Sequence, residues 1–309
     1  MKALFTYDYG KENMDRIRAL GYEVMVVGET VIENNPQINQ VEVLVCYSPF
    51  KRLDVGQMKQ LRFIQLSSTG IDQLPDNLDR DVQVANNRGG YSVPMGEWTV
   101  MRLLELYKDA DYFFTQQKNR KWAINTSIQE LAGKRVAFLG TGTVATEGAR
   151  RLAGFDMTIH GFSLSGAPKD CFERVFPMDA AEDLIGGYDA VVIALPHTEK
   201  THHLVSEKFL GRMKDQAVLI NVSRGKVLDE RALLLHAPRF KGIALDVFEE
   251  EPLKKDSPLW EVPNLLISPH NSWVSQRRNS RRFELIYSNL QRLKEGRPLQ
   301  NLIDVERGY

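Results

Sequence analysis

Short apolar or β-branched runs alternate along the chain with segments in which apolar residues recur at helical spacing. In the first hundred residues, the apolar runs predict strands at 2–7, 23–27, 41–47, 63–66 and 82–85. The helical spacing between them predicts helices at 11–20 and 55–61. Strands that alternate with helices are typical of parallel sheets. We therefore expect the first hundred residues to form a small α/β unit.

A second series of the same kind begins at residue 135. Its apolar runs predict strands at 135–139, 157–161, 190–195, 217–222, 242–245 and 265–267. Its helical spacing predicts helices at 144–152, 206–213 and 230–235. Six parallel strands joined by short crossovers match a doubly wound dinucleotide-binding fold.

Two longer segments with helical periodicity, 94–120 and 274–294, flank the second series. This arrangement indicates that the chain leaves the first unit, builds the second and then returns. The predicted fold class is α/β, with a Rossmann-type doubly wound parallel sheet inserted into a smaller flavodoxin-like α/β domain. We expect residues 97–283 to form the dinucleotide-binding domain, and residues 1–96 and 284–309 to form the smaller, discontinuous domain.

Composition narrows the classes of partner. The 309 residues include 40 basic and 40 acidic side chains, for a formal net charge of +0. A neutral chain has no overall field to attract nucleic acid or an anionic membrane, so we expect neither as a partner. No stretch approaches the ~18 consecutive apolar residues of a membrane span. The two cysteines, Cys46 and Cys171, have no metal-ligand spacing, and we expect a cytoplasmic protein without a metal.

A glycine-rich turn joins the strand at 135–139 to the helix at 144–152. The pattern there is Gly-x-Gly-x-x-Ala: the first glycine permits a tight turn and the second lets backbone approach a pyrophosphate. The small third residue allows close packing, and the amides at the helix N-terminus bind the anion. The residues expected to bind the cofactor here are Gly140, Thr141, Gly142, Thr143, Val144 and Ala145.

The next strand lacks the acidic residue that usually binds the adenosine ribose. It continues into Ser163 and Ser165, and no carboxylate appears before Asp170. Without that acid, nothing repels a 2′-phosphate, and the two serines together with Lys169 can donate hydrogen bonds to it. The sequence therefore predicts an NAD(P) cofactor, with NADP favoured.

Ionisable residues follow the last three predicted strands, in the segments 219–225, 244–252 and 266–273. The carboxyl ends of parallel strands are where such sheets place their chemistry. Arg224 can bind a carboxylate with two hydrogen bonds, and His270 can exchange a proton near neutral pH. A neighbouring carboxylate can orient the histidine, but spacing alone does not choose among the glutamates at 249–251.

The chain resembles the D-isomer-specific 2-hydroxyacid dehydrogenase family, which includes glyoxylate/hydroxypyruvate reductases and phosphoglycerate dehydrogenases. The resemblance covers nearly the whole chain. It is carried by Ser-Thr-Gly-Ile-Asp at 68–72, the glycine turn, Asn-Val-Ser-Arg-Gly at 221–225, Asp-Val-Phe-Glu-Glu-Glu-Pro at 246–252 and Ser-Pro-His at 268–270.

The resemblance implies specific roles for residues of this chain. Arg224 corresponds to the substrate arginine, His270 to the acid/base histidine and Glu251 to its glutamate partner. Asp246 corresponds to the aspartate on the nicotinamide side. The remaining implied contacts are Leu195, Pro196, Val222 and Ser223 with the cofactor, and Thr69, Gly70 and Trp273, besides Arg224 and His270, with the substrate.

The implied reaction is reversible hydride transfer between a small 2-keto acid and its D-2-hydroxy acid. In the reductive direction His270 gives a proton to the ketone oxygen, while Arg224 holds the carboxylate. The resemblance also implies a homodimer, in which the helix at 94–120 and the segment after it pack against a second subunit.

Other interpretations stay open. The fold also occurs in non-catalytic dinucleotide sensors such as co-repressors, and in dehydrogenases of other small anions such as phosphite. The sequence does not choose the 2-hydroxy acid or decide whether Trp273, Arg277 and Arg281 touch it. His202 and His203 lack acidic or cysteine companions at ligand spacing, so we expect no metal there.

Overall fold

The computed structural model describes residues 1–304. It divides into two compact units, Ser92–Val274 and a discontinuous unit made of Met1–Tyr91 and the chain from Ser275 onward. These divisions differ from the boundaries expected at 96/97 and 283/284. Residues 305–309, the end of the range predicted for the smaller domain, lie outside the described residues.

The smaller unit is built on a five-stranded parallel sheet. Its strands are β1 (Lys2–Phe5), β2 (Glu23–Val26), β3 (Val43–Cys46), β4 (Phe63–Leu66) and β5 (Gln83–Ala85), and its first helix is α1 (Lys11–Ala19). The strand order β2-β1-β3-β4-β5 is that of the flavodoxin-like fold. The predicted fold class is therefore confirmed for this unit.

The larger unit contains a seven-stranded parallel sheet. Its strands are β6 (Arg135–Leu139), β7 (Thr158–Ser163), β8 (Arg174–Pro177), β9 (Ala190–Ile193), β10 (Val218–Asn221), β11 (Gly242–Leu245) and β12 (Leu265–Ile267). Its helices are α2 (Ser92–Tyr107), α3 (Ala110–Lys118), α4 (Thr143–Leu152), α5 (Ala181–Leu184), α6 (Glu207–Arg212) and α7 (Glu230–His236). The order β12-β11-β10-β9-β6-β7-β8 is doubly wound, as predicted, with the reversal between β6 and β9.

Apolar side chains cover both faces of the larger sheet. Alternate residues of β6 point to opposite faces, so that Ala137 and Leu139 join one buried cluster while Val136 and Phe138 join the other. Helix α2 packs closely on α4: a Cβ at Gly96 would lie 2.9 Å from Glu147 Cβ. The whole of α2 therefore belongs to the larger unit, and this packing moves the first division to residue 92.

The last helix, α8 (Arg278–Lys294), belongs to the smaller unit. Phe283, Ile286 and Leu290 are buried in one cluster with residues of β1 and α1. The hydroxyl of Tyr22 also donates a hydrogen bond of 2.8 Å to the Leu290 carbonyl. Because these contacts begin in the first turns of α8, the second division comes before the helix, at residue 275.

The structure differs from the predicted elements in several places. Strand β8 was not predicted, because this edge strand has only two apolar residues, Val175 and Phe176, before Pro177, and proline argues against a strand. The helix predicted at 94–120 is broken at Asp109, which has a left-handed φ of 49° and binds Lys241 at 2.9 Å. The helix predicted at 55–61 is a single 3₁₀ turn, Val55–Gln57.

Among residues 1–304, no helix is both long enough and apolar enough to cross a membrane.

Candidate active site

The predicted site residues of the larger unit share one edge of its sheet because the strands run in the same direction. All neighbouring pairs in the sheet are parallel, so the loops that follow β6, β9, β10, β11 and β12 leave it at the same edge. Ligands of doubly wound sheets bind outside the carboxyl ends of the strands, where the strand order reverses. That reversal lies between β6 and β9, next to the glycine turn.

The glycine turn has the geometry of an anion-binding loop. Gly140 has a φ of 97°, and a Cβ there would lie 2.5 Å from the Ala194 carbonyl oxygen, so only glycine fits. Gly142 is the N-cap of α4, and no side chain of residues 1–304 caps the amides of that helix. A Cβ at Gly142 would meet no described atom within 4 Å, so there is open space beside this residue. An uncapped helix N-terminus beside open space suits a pyrophosphate.

The end of β7 provides hydroxyl groups where a carboxylate is often found. The strand ends at Ser163, and the hydroxyl oxygens of Ser163 and Ser165 each accept a hydrogen bond from a backbone amide two or three residues further on. The Lys169 ammonium donates a hydrogen bond to the Thr141 carbonyl, which places a positive charge beside the glycine turn.

The other predicted cofactor contacts differ in exposure. Leu195 and Ser223 are half-buried and Pro196 is exposed, so their surfaces are accessible. Ala145 and Val222 are fully or almost fully buried, so they shape the site by packing beneath it. Contact between these five residues and a cofactor stays a prediction.

The loop that carries Arg224 is shaped by Asn221 and Gly225. The buried Asn221 side chain accepts hydrogen bonds from the Ser223 amide (3.0 Å) and hydroxyl (2.9 Å), and donates one to the Arg224 carbonyl (3.1 Å). A Cβ at Gly225 would lie 1.8 Å from the Phe248 carbonyl carbon. The loops after β10 and β11 therefore pack backbone against backbone, which brings Arg224 close to the second loop.

Glu251 and His270 form the acid/base pair of this edge. His270 Nδ1 donates a hydrogen bond of 2.7 Å to Glu251 Oε2, and the Phe248 amide donates one of 3.0 Å to Oε1. Burial raises the pKa of the Glu251 carboxyl, but the bonds from His270 and Phe248 and the charges of His270 and Arg224 outweigh it. The net pKa is therefore lowered. The carboxylate stays ionised below its ordinary range.

The three neighbouring glutamates have different partners. Glu249 accepts a hydrogen bond from the Glu230 amide at 3.0 Å, and Glu250 forms an ion pair with Lys254 at 2.7 Å. Glu251 is the one that contacts His270. Folding therefore makes the choice that spacing along the sequence left open.

Asp246 holds the loop that carries His270. Its side chain has no exposed surface, and its carboxylate accepts hydrogen bonds from the Ser268 hydroxyl (2.5 Å) and from the amides of Asn271 (2.8 Å) and Ser272 (2.9 Å). Its backbone carbonyl accepts another from the His270 amide (2.7 Å). These bonds hold His270 at a left-handed φ of 48°. The observed role of Asp246 is to position this loop, and its contact with the nicotinamide stays a prediction.

Trp273 braces the same loop, because its indole N–H donates a hydrogen bond of 2.7 Å to the His270 carbonyl. Its contact with substrate stays a prediction.

In the smaller unit, the carbonyls of Thr69 and Gly70 accept hydrogen bonds from Asn86 (2.8 Å) and Ser68 (2.9 Å). Their own amides donate to no residue within 1–304. Two such amides suit the carboxylate predicted to bind there.

Sequence reasoning missed Asn221 and Ser268 as supports of the site. The signal that could have found them is a polar residue directly after an apolar strand, where a buried side chain needs hydrogen-bond partners.

Comparison with known proteins decides the family. Residues 100–272, more than half of the chain, match the profile of the D-isomer specific 2-hydroxyacid dehydrogenase NAD binding domain. The chain belongs to this family. The resemblance stated from the motifs is thereby confirmed, and the chain is an NAD(P)-dependent oxidoreductase of 2-hydroxy acids.

Individual relatives agree with this assignment. A glyoxylate reductase of Korarchaeum cryptofilum is 35% identical over 80% of this chain and 77% of its own length. A D-isomer specific 2-hydroxyacid dehydrogenase family protein of Aeromonas salmonicida is 29% identical, with a TM-score of 0.82 over 98% of both chains. A third, from Xanthobacter autotrophicus in complex with NADPH and MES, is 27% identical, with a TM-score of 0.80 over 100% of this chain and 99% of its own.

The Glu251–His270 pair of this dehydrogenase predicts a pH effect. In Glu251→Gln, a neutral amide replaces the carboxylate that binds His270 Nδ1, so kcat/KM for reduction should fall by roughly tenfold at every pH where the wild-type carboxylate is ionised. In the wild type, the Glu251 carboxylate has a lowered pKa. Its negative charge, and the activity that depends on it, is therefore lost only as the pH falls through that lowered value. The measurement is kcat/KM for reduction of a 2-keto acid against pH. Glu250→Gln, on the same loop, is the control, and superimposable profiles for Glu251→Gln and wild type would contradict the prediction.

Proposed function

We propose that the chain reduces a small 2-keto acid of the glyoxylate or hydroxypyruvate class to the D-2-hydroxy acid, with NADPH as the favoured reductant. The observation that carries the proposal is the Glu251–His270 hydrogen bond of 2.7 Å. It lies at the same sheet edge as Arg224 and the uncapped N-terminus of α4. The name of the Korarchaeum relative, glyoxylate reductase, supports this substrate class.

The residues of the chain have separate tasks in this reaction. His270 is held through Nδ1, so its other ring nitrogen, Nε2, gives a proton to the ketone oxygen. Glu251 orients the ring through this hydrogen bond. Arg224 binds the substrate carboxylate and polarises the carbonyl. The nicotinamide supplies the hydride when bound.

We also assign ligand contacts within each unit. The larger unit binds the cofactor at Gly140–Ala145, and in the smaller unit the amides of Thr69 and Gly70 are the proposed contacts for a substrate carboxylate. A cytoplasmic location is supported by the two cysteines, Cys46 and Cys171, which are both free thiols.

The first prediction of this proposal concerns turnover. The wild-type protein should oxidise NADPH in the presence of glyoxylate or hydroxypyruvate, and His270→Ala should lower kcat by roughly 10²–10⁴-fold, because it removes the proton donor. His236→Ala, at the end of α7, is the matched control and should keep wild-type activity. An unchanged kcat in His270→Ala would remove this residue from the mechanism. Cofactor binding without turnover across a panel of 2-keto acids would favour a dinucleotide sensor instead.

The second prediction concerns the cofactor. Because Ser163 replaces the usual acid at the end of β7, the wild type should have the higher kcat/KM with NADPH. Ser163→Asp places a negative charge against the 2′-phosphate and should shift the NADPH to NADH ratio by about tenfold or more toward NADH, the equivalent of about 1.4 kcal/mol. Ser163→Asn has a similar size without the charge and serves as the control. Equal or better efficiency of the wild type with NADH would contradict the preference.

The third prediction concerns assembly, since we also propose a homodimer. Apolar side chains of α3 and the following segment are exposed in the chain, with Phe114 59%, Ile124 82% and Trp122 100% accessible. Exposed apolar patches of this kind mark interaction surfaces. Light scattering at micromolar concentration should give the mass of two chains. Phe114→Asp should shift it toward one chain, whereas Leu235→Asp, at another exposed apolar position, should not. A monomeric wild type would contradict the proposal.

A further inference from the structure

Three side chains from separate segments of the larger unit form a second polar cluster. The ligand atoms of His203, Asp229 and Glu249 all lie within 4.8 Å of one another. His203 lies in the turn before α6, Asp229 is the N-cap of α7, and Glu249 lies in the loop after β11. The reaction proposed above uses none of these three side chains.

The histidine and the glutamate already have the separation of two ligands of one ion. His203 Nε2 lies 3.1 Å from Glu249 Oε1, yet this buried nitrogen makes no hydrogen bond to any described residue. Two ligands of a tetrahedral ion with bonds of about 2.0–2.1 Å lie roughly 3.3 Å apart. The 3.1 Å separation is close to that distance, so His203 Nε2 and Glu249 Oε1 can bind one cation with little movement.

The backbone fixes His203 beside Asp229 without any ligand. The His203 amide donates a hydrogen bond of 2.8 Å to the Lys226 carbonyl. Two residues further on, the Val205 carbonyl accepts one of 3.1 Å from the Asp229 amide. The segments that carry the two side chains are therefore paired like short parallel strands, and the site is preorganised.

Each carboxylate is held through one oxygen. Asp229 Oδ1 accepts hydrogen bonds of 3.0 Å from the amides of Arg231 and Ala232. Glu249 Oε1 accepts one of 3.0 Å from the Glu230 amide, and Glu230 Oε1 accepts one of 2.7 Å from the Glu249 amide. Within residues 1–304, Asp229 Oδ2 and Glu249 Oε2 accept no hydrogen bond. Each side chain is thus oriented and still has lone pairs for an ion: Asp229 on Oδ2, and Glu249 on Oε2 and on the second lone pair of Oε1.

The local charge also favours a cation. Glu230 adds a third carboxylate to Asp229 and Glu249. A divalent ion between these groups would offset the repulsion of their charges.

We propose that His203, Asp229 and Glu249 bind one Zn²⁺ ion. One imidazole with two carboxylates suits zinc, whereas Mg²⁺ and Ca²⁺ prefer sites made of oxygen ligands alone. The expectation of no metal at His202 and His203 rested on sequence spacing. Both acidic ligands come from elements that follow later in the chain, and only folding brings them to His203.

The ion would join three segments of the larger unit, including the loop on which Glu251 lies two residues after Glu249. Binding to the folded state alone raises the unfolding temperature. We therefore expect Zn²⁺ to stabilise the unit. This inference does not depend on the substrate or the cofactor, because its readouts are metal binding and unfolding temperature.

The test is titration of chelator-treated full-length protein with Zn²⁺ by calorimetry, together with thermal unfolding with and without the ion. The wild type should bind one ion per chain and unfold at a higher temperature with zinc. His203→Gln and Glu249→Gln should weaken binding by about tenfold or more, since even the loss of an outer partner of a metal ligand costs roughly 10–100-fold. Asp229→Asn should also weaken it while keeping the helix cap, because asparagine is an equally good N-cap.

His202→Gln is the matched control. Its ring stacks on that of His203 at a centroid distance of 4.1 Å, but it is not part of the cluster. His202 also lies 3.2 Å from His197 through their ring nitrogens, so this pair is the alternative place for an ion. Retained zinc binding in His202→Gln supports the proposal. It is overturned if the wild type binds no zinc, if Asp229→Asn and Glu249→Gln bind as well as the wild type, or if His202→Gln loses binding as His203→Gln does.

Discussion

The common direction of the strands in the seven-stranded sheet is the constraint on which the active site depends. Parallel strands need crossover connections, and these connections return the chain so that every strand ends at the same edge. The glycine turn follows β6, Arg224 follows β10, Glu251 follows β11 and His270 follows β12. Residues more than a hundred positions apart therefore share one edge, and reversing any of these strands would remove its loop from the site.

Two features convert this shared edge into a defined geometry. One is the absence of a side chain at Gly225, which lets the backbone after β10 contact the backbone at Phe248. The other is the buried carboxylate of Asp246, whose hydrogen bonds hold the His270 loop. A buried carboxylate without partners costs several kcal/mol, so the loop and the carboxylate stabilise each other. The 2.7 Å contact between Glu251 and His270 joins these two supports.

Much of the fold could be predicted because its strands are buried. Strands β3, β4, β9, β10 and β11 consist of buried residues throughout, and such strands appear in the sequence as nearly continuous apolar runs, interrupted here only by Gln65 in β4 and Asn221 in β10. The edge strand β8 has only Val175 and Phe176 before Pro177, and this apolar run is too short to predict a strand. The break of the helix at Asp109 could not be predicted from local sequence either, because its ion pair with Lys241 joins positions far apart in the chain.

The sequence by itself determined the order of the elements, the anion-binding turn and the kinds of side chain at the strand ends, since each depends on residue type and local spacing. Only the tertiary structure decided which of three adjacent glutamates contacts His270, because that choice depends on the path of the backbone after β11. It also decided that Asp246 supports a loop and that His203 has acidic neighbours. Contacts between distant segments depend on how strands align and loops pack, and no local pattern along the chain records them.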